Sequence, residues 1–287
     1  MFNRSKDLTF GLSLLLMLVS QCQAGMIGRD DQRTFLTEAF ENARNLARNA
    51  ETQLDNLEGA QAELFTWLFG PADRVGKVRG VFRKLQNIAV PINAIHDGDD
   101  VMTELLLIAR LDIDFYYRLD NYRNCKGPTM AYQLTPSDQL ALSSSITFCP
   151  WFLDYAMRKS PQFLNQVRLQ RLKDFTAEMD AGTWLEIFGL RAPIDFLNLF
   201  DGTVIHEMTH TRYGGETIDV KYGWRNCKKI STRESGEGIP DSDQGPLDNA
   251  DSFGLFAVAS WYISQGGKVS EDGQIEGGPP VQAKALI

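Results

Sequence analysis

The chain has 287 residues, 43% of them hydrophobic and 23% charged, enough apolar material for a sizeable core in one domain or two. This composition excludes a disordered tail, a collagenous repeat and a multi-span membrane protein. Lysine and arginine total 29 against 37 aspartates and glutamates, a formal net charge of -8 with no basic cluster, so nucleic acid and anionic membrane surfaces are not expected partners.

Arg4 and Lys6 precede an apolar run over 8–20, and a polar stretch then ends in Cys22-Gln23-Ala24. The run falls short of the roughly 20 residues that cross a bilayer as a helix, and it reads as a secretory signal cut after Ala24. The expected organisation is a signal over 1–24, one domain over 25–264 and a flexible tail over 265–287. The product is expected to be secreted and extracellular, without stable membrane association, and a monomer. Beyond the signal lie Cys125, Cys149 and Cys227. An oxidising compartment permits one disulfide among them. Cys125 and Cys149 are the preferred pair: they are nearest in sequence, and Gly127, Pro128, Pro136 and Ser137 let the connection double back. Cys227 is then either buried and inert or paired with another molecule.

In residues 33–57 the apolar Leu36, Phe40, Ala43, Ala47, Ala50, Leu54 and Leu57 recur at three- and four-residue steps, which predicts an amphipathic helix. Gly59 interrupts it, residues 64–69 resume an apolar face, and Gly70-Pro71 breaks the pattern before further helix over 73–89. Leu111-Asp112-Ile113-Asp114-Phe115 alternates as a half-buried strand does, and Ile146-Thr147-Phe148-Cys149 is a second strand candidate. Residues 228–246, rich in Ser, Gly, Asp and Glu, read as a mobile loop, and 265–287 as a poorly packed terminus. The expected fold is α+β, mainly helical with a small sheet.

The chain has three histidines, and two of them bracket a glutamate in His206-Glu207-Met208-Thr209-His210. Residues four apart share one helix face, so both imidazoles can hold one Zn²⁺. Glu207 sits at the edge of that face, where its carboxylate can take a proton from a water at the metal. A catalytic zinc needs a third protein ligand. Gly214-Gly215 follows the second histidine closely and allows a tight reversal, beyond which stand Glu216, Asp219 and Tyr222. Glu216 occupies the place of the third metzincin ligand, but Tyr213 stands where those enzymes need glycine, so Asp219 is the better candidate.

The whole pattern resembles the aspzincins, the deuterolysins and lysine-specific metallo-endopeptidases, whose mark is His-Glu-x-x-His followed by Gly-Thr-x-Asp-x-x-Tyr-Gly. Thr217, Asp219, Tyr222 and Gly223 are in register, and Glu216 replaces the first glycine, a departure that Gly214 and Gly215 are expected to compensate one step earlier. The resemblance implies His206, His210 and Asp219 as zinc ligands, Glu207 as general base and Tyr222 as the hydroxyl that stabilises the oxyanion. It also makes Asp251, in Asn249-Ala250-Asp251-Ser252-Phe253, a substrate-binding candidate. In lysine-specific members this Asp and a Glu three residues later hold the substrate lysine. Gly254 stands in the Glu position, which leaves Asp251 equally open to a role behind the ligands or as a helix cap.

The expected activity is zinc-dependent cleavage of peptide bonds in peptide or protein substrates, with residues 228–246 gating the cleft. Two other readings remain open. One is a secreted zinc-binding or surface-interaction protein whose metallopeptidase-like domain is silent. The other is a gluzincin with Glu234 or Glu237 as third ligand.

Overall fold

The computed structural model describes residues 26–27, 30–88, 105–109, 129–134, 144–158, 163–164, 191–232 and 245–277. The signal over 1–24, the strand expected at 111–115 and Cys125 lie outside the described residues. Within them the architecture is α+β and mainly helical, with a small sheet.

The first expected helix runs Asp30–Asp55 (α1), and its apolar stripe from Leu36 through Phe40, Ala43, Ala47 and Ala50 to Leu54 is buried. Next come Gly59–Phe69 (α2), a 3-10 turn at Ala72–Arg74, and Val75–Asn87 (α3), close to the expected boundaries. The remaining helices are Pro150–Arg158 (α4), Phe200–His210 (α5), Trp224–Ser231 (α6) and Ala250–Ser264 (α7), with a further 3-10 turn at Pro193–Leu197. Helix α5 has almost no exposed face, because α1, α3 and α7 pack around it. A segment buried on all sides loses helical periodicity and reads as uniformly apolar.

Two aromatic groups fix α5 in this core. At its start Phe200 meets Phe35 of α1 at 4.8 Å, Phe148 at 4.9 Å and Phe152 of α4 at 5.1 Å between ring centroids. On the far side Phe65, Phe69, Phe82, Phe253 and Phe256 interlock α2, α3 and α7. Such pairs add about 0.5–1.5 kcal/mol each beyond their buried area.

The sheet has four strands in the order β1 (Met26–Ile27), β2 (Leu105–Ala109), β4 (Ser144–Phe148), β3 (Ala131–Leu134). Strands β1, β2 and β4 are parallel, and β3 runs antiparallel to β4 with Ala131 opposite Phe148 and Leu134 opposite Ser145. The strand expected at 146–149 is β4, shifted by two residues at its start. Strand β3 forms an edge of the sheet and faces α5.

Two segments expected to be loose are ordered. Residues Lys228 to Ser231 complete α6, and 245–248 form a turn; only 233–244 of the expected gating loop lie outside the described residues. The tail is a hairpin, β5 (Gly267–Val269) with β6 (Ile275–Gly277), for as far as it is described. Its glycines reflect close packing: a Cβ at Gly267 would lie 2.4 Å from the Tyr262 ring. The Tyr262 hydroxyl donates to the carbonyls of Glu276 and Gly277, and the Trp224 indole N–H donates to the Glu271 carbonyl. Cys149 is buried and disulfide-bonded, whereas Cys227 is a buried free thiol, the inert alternative for that residue.

Candidate metal centre

Helix α5 ends at His210, and the chain reverses through a turn in which the Thr211 carbonyl accepts the N–H groups of Gly214, Gly215 and Glu216. Glu216 has φ 56, and among the described residues it is the non-glycine in the left-handed region. The left-handed conformation therefore stays at the position where the resembling motif has glycine. Gly214 and Gly215 do not take it over: neither has positive φ. Gly214 answers a different need, because a Cβ there would lie 1.9 Å from the Met208 carbonyl oxygen.

From this turn, residues 217–221 run back beside α5 and are tied at three places. The Thr217 N–H donates to the Thr209 carbonyl and its hydroxyl to the Thr209 hydroxyl. Ile218 pairs with the segment before α7, its N–H donating to the Asp248 carbonyl at 2.7 Å and its carbonyl accepting from Ala250. The fully buried Asn249 closes the loop: its Oδ1 accepts from the N–H groups of Val220 and Lys221 at 3.1 and 2.9 Å, and its Nδ2 donates to the Ser252 hydroxyl.

This path brings Asp219 over the two histidines. His206 Nε2 and His210 Nε2 are 3.2 Å apart, and Asp219 Oδ1 lies 3.0 Å from the first and 3.3 Å from the second. A tetrahedral zinc with bonds of about 2.0–2.1 Å sets its ligand atoms about 3.3 Å apart, so the triangle fits the ion. The ring tautomers fit as well. His210 Nδ1 lies 2.8 Å from the Thr217 carbonyl, which can only accept, so the proton is on Nδ1 and the Nε2 lone pair faces the triangle. His206 Nδ1 faces Asp251 Oδ1 at 3.4 Å in the same sense. His206, His210 and Asp219 are the residues that could hold a metal ion.

The electrostatics ask for a cation. Burial pushes His206 down, but Asp219 and Asp251 outweigh it and raise its pKa to about 10. Burial pushes the Asp219 carboxyl up, and hydrogen bonds from His206, His210 and Tyr222 overcome this and hold it far below the usual carboxylate range. Without a metal the site keeps a proton where a divalent ion would sit. Glu207 is buried beside the triangle, and burial raises its pKa. Its Oε2 is buried without a hydrogen-bond partner. A carboxylate left so exposes a strong acceptor to the cleft at a cost that a structural role does not explain.

Tyr222 is more than half exposed, its ring stacked on His206 at 5.8 Å between centroids and its hydroxyl bonded to Asp219. Burial and the Asp219 carboxylate push its pKa up, so the phenol keeps its proton. Asp251 borders the cleft, but both of its oxygens are engaged within the chain. Oδ1 faces His206, and Oδ2 accepts the Gly223 N–H at 2.6 Å and lies 3.7 Å from the Cys227 thiol. Asp195 holds the next amide, Trp224 N–H, at 2.8 Å, so two carboxylates meet the N-terminus of α6. Gly254 faces α5, 3.8 Å from the His206 Cβ as measured from the Cβ it lacks.

The cleft over the triangle has a volume of about 930 Å³ and is bordered on its far side by residues 129–133 of β3 and its approach. Asn249 and Asp195 went unnoticed as site residues in sequence. Asn249 adjoins Ala250-Asp251, but nothing local marks its partners 28 and 29 residues away, and Asp195 sits in a short turn with no motif.

No family model and no curated protein matches the chain. Among solved structures it is similar to a zinc peptidase from Grifola frondosa, at 15% sequence identity and a TM-score of 0.45, over 80% of this chain and 96% of that chain.

Proposed function

We propose that the protein is a secreted zinc metalloendopeptidase of the aspzincin type, acting on peptides or proteins, with residues 25–264 as its catalytic unit. The observation that carries this is the juxtaposition of the His206–His210–Asp219 triangle with the unpartnered, buried Glu207 carboxylate in one open cleft. A zinc ion there supplies a Lewis acid for a carbonyl oxygen and for an acidic water. Glu207 takes the water's proton on its carboxylate and returns it to the departing amine nitrogen, a task suited to a carboxyl whose pKa burial has raised. Tyr222 keeps its hydroxyl proton and turns it from Asp219 to the oxyanion as negative charge develops. Asp251 orients His206 through Nδ1. Its engaged oxygens speak against the lysine-holding role, and the missing carboxylate at Gly254 agrees with that. The edge strand β3 gives an extended substrate a backbone to pair with.

The Cys125–Cys149 disulfide and secretion through the signal over 1–24 belong to the same proposal. Among the described residues no helix is long and apolar enough to cross a membrane. The test is an unbiased peptide library exposed to the protein before and after chelation. Cleavage that stops on chelation and returns with one equivalent of zinc supports the reading. Zinc binding without any cleavage would favour a metal-binding protein instead.

A further inference from the structure

Five large apolar side chains are exposed among the described residues: Met130, Trp151, Tyr155, Ile218 and Tyr222. Met130, Ile218 and Tyr222 border the cleft itself. The other two are tied to it. Trp151, 45% exposed, donates its indole N–H to the carbonyl of Thr129, a residue of the cleft wall, at 3.1 Å. Tyr155, 52% exposed, follows four residues later, on the same face of α4. Thus the exposed apolar surface is gathered along one line, from the metal triangle to the outer face of α4. Scattered exposed apolar residues need no explanation, but a gathered set marks a contact surface.

We propose that Met130, Trp151 and Tyr155 form a docking strip for a bulky apolar or aromatic side chain of an extended polypeptide substrate, at a position away from the scissile bond. This rests on the peptidase reading of the cleft. The strip is rigid: the inward face of α4 buries Phe152, Leu153 and Ala156, and Phe152 stacks on Phe200 at the start of the metal-bearing helix. Aromatic rings already fixed in place lose little freedom on binding and are frequent anchors of contact surfaces. The occupant is a polypeptide because the strip lies at the head of β3. This strand pairs only with β4 among the described residues, so its outer backbone edge can take another strand. A saccharide can stack on the rings but has no use for a strand edge. A peptide laid along β3 advances about 3.3 Å per residue and turns alternate side chains to one side, which carries one of them to Met130 and Trp151.

The test separates docking from turnover. Peptides of about twelve residues, with a single Phe walked along an Ala/Ser/Gly frame, are bound to zinc-loaded Glu207→Gln and followed by fluorescence anisotropy. One Phe register is expected to bind about tenfold more tightly than the frame alone. Adding Trp151→Ala and Tyr155→Ala should reduce this preference to below twofold. Tyr155→Ser alone, at an exposed position, should reduce it about threefold even if the Trp151 variant fails to fold. A preference absent from every register, or one that survives Tyr155→Ser and the double variant alike, overturns the proposal. So does an oligosaccharide that binds through Trp151 where no peptide shows a preference. If the preference is present in Glu207→Gln but the wild type cuts none of the peptides, the docking strip stands and the peptidase reading falls.

Discussion

Asn249→Ala isolates the part of the site that holds the third ligand in place. The Asn249 amide makes hydrogen bonds to Val220 N, Lys221 N and Ser252 Oγ at 3.1, 2.9 and 2.9 Å, with Cys227 Sγ a weaker fourth partner at 3.3 Å. At about 1 kcal/mol net for each conventional bond, removing them costs about 3 kcal/mol of stability. The two bonds to Val220 and Lys221 hold the loop that carries Asp219, and account for about 2 kcal/mol of that. In the variant this ordering has to be supplied when the metal binds, which weakens zinc affinity about 30-fold. Zinc affinity is measured by competition with a fluorescent chelator, and stability by thermal unfolding of the metal-free protein. Ser252→Ala is the control: it removes a partner of Asn249 but leaves the loop bonds, so stability falls by about 1 kcal/mol while zinc affinity stays put. Asn249→Ala with zinc affinity within twofold of wild type, despite lowered stability, would refute the claim that this residue positions Asp219.

Three further outcomes are expected. Glu216→Gly releases a side chain from the left-handed region, and should raise the stability by about 1 kcal/mol, or about 2–4 °C in Tm, with zinc affinity retained; a lower Tm would contradict the strain at this position. Gly214→Ala sets a methyl group against the Met208 backbone carbonyl, which cannot turn away, and should cost about 3 kcal/mol and loosen zinc together with the reversal, as read by melting and chelator competition. Burial raises the Asp201 pKa from 3.8 to about 6, against hydrogen bonds from Leu164 and Gly202. The native state therefore binds the extra proton between those values. That contribution to stability is present below about pH 4, is lost as pH rises through 6, and amounts to about 3 kcal/mol. Asp201→Asn should flatten the slope between pH 4 and 6 in denaturant unfolding, and an unchanged slope would contradict the assignment.

Much of the metal centre was legible because its signals are local. His206 and His210 are one helical turn apart, and Asp219 follows within a single reversal, so spacing alone brings their ligand atoms together. The helices α1 to α3 were legible for the same reason, their apolar stripes being intact. What escaped depends on distant pairing. Strand β2, with parallel neighbours on both sides, is a continuous apolar run without the alternation that marks a half-buried strand, and the alternating stretch at 111–115 drew attention instead. The β5–β6 hairpin looked loose because glycines that admit Tyr262 and shape its turns resemble the glycines of a flexible tail. Asp251 carried a family expectation of lysine binding, but its geometry depends on His206 and Gly223, which only the fold brings to it.

Peptide turnover by the wild type and by Glu207→Gln, compared at matched zinc occupancy, tests the central claim most directly. Both proteins should hold one zinc through His206, His210 and Asp219, and Glu207→Gln should cleave about 100- to 10,000-fold more slowly. Equal turnover by the two proteins would contradict Glu207 as the base, and a zinc-loaded wild type that cuts no peptide would contradict the peptidase itself.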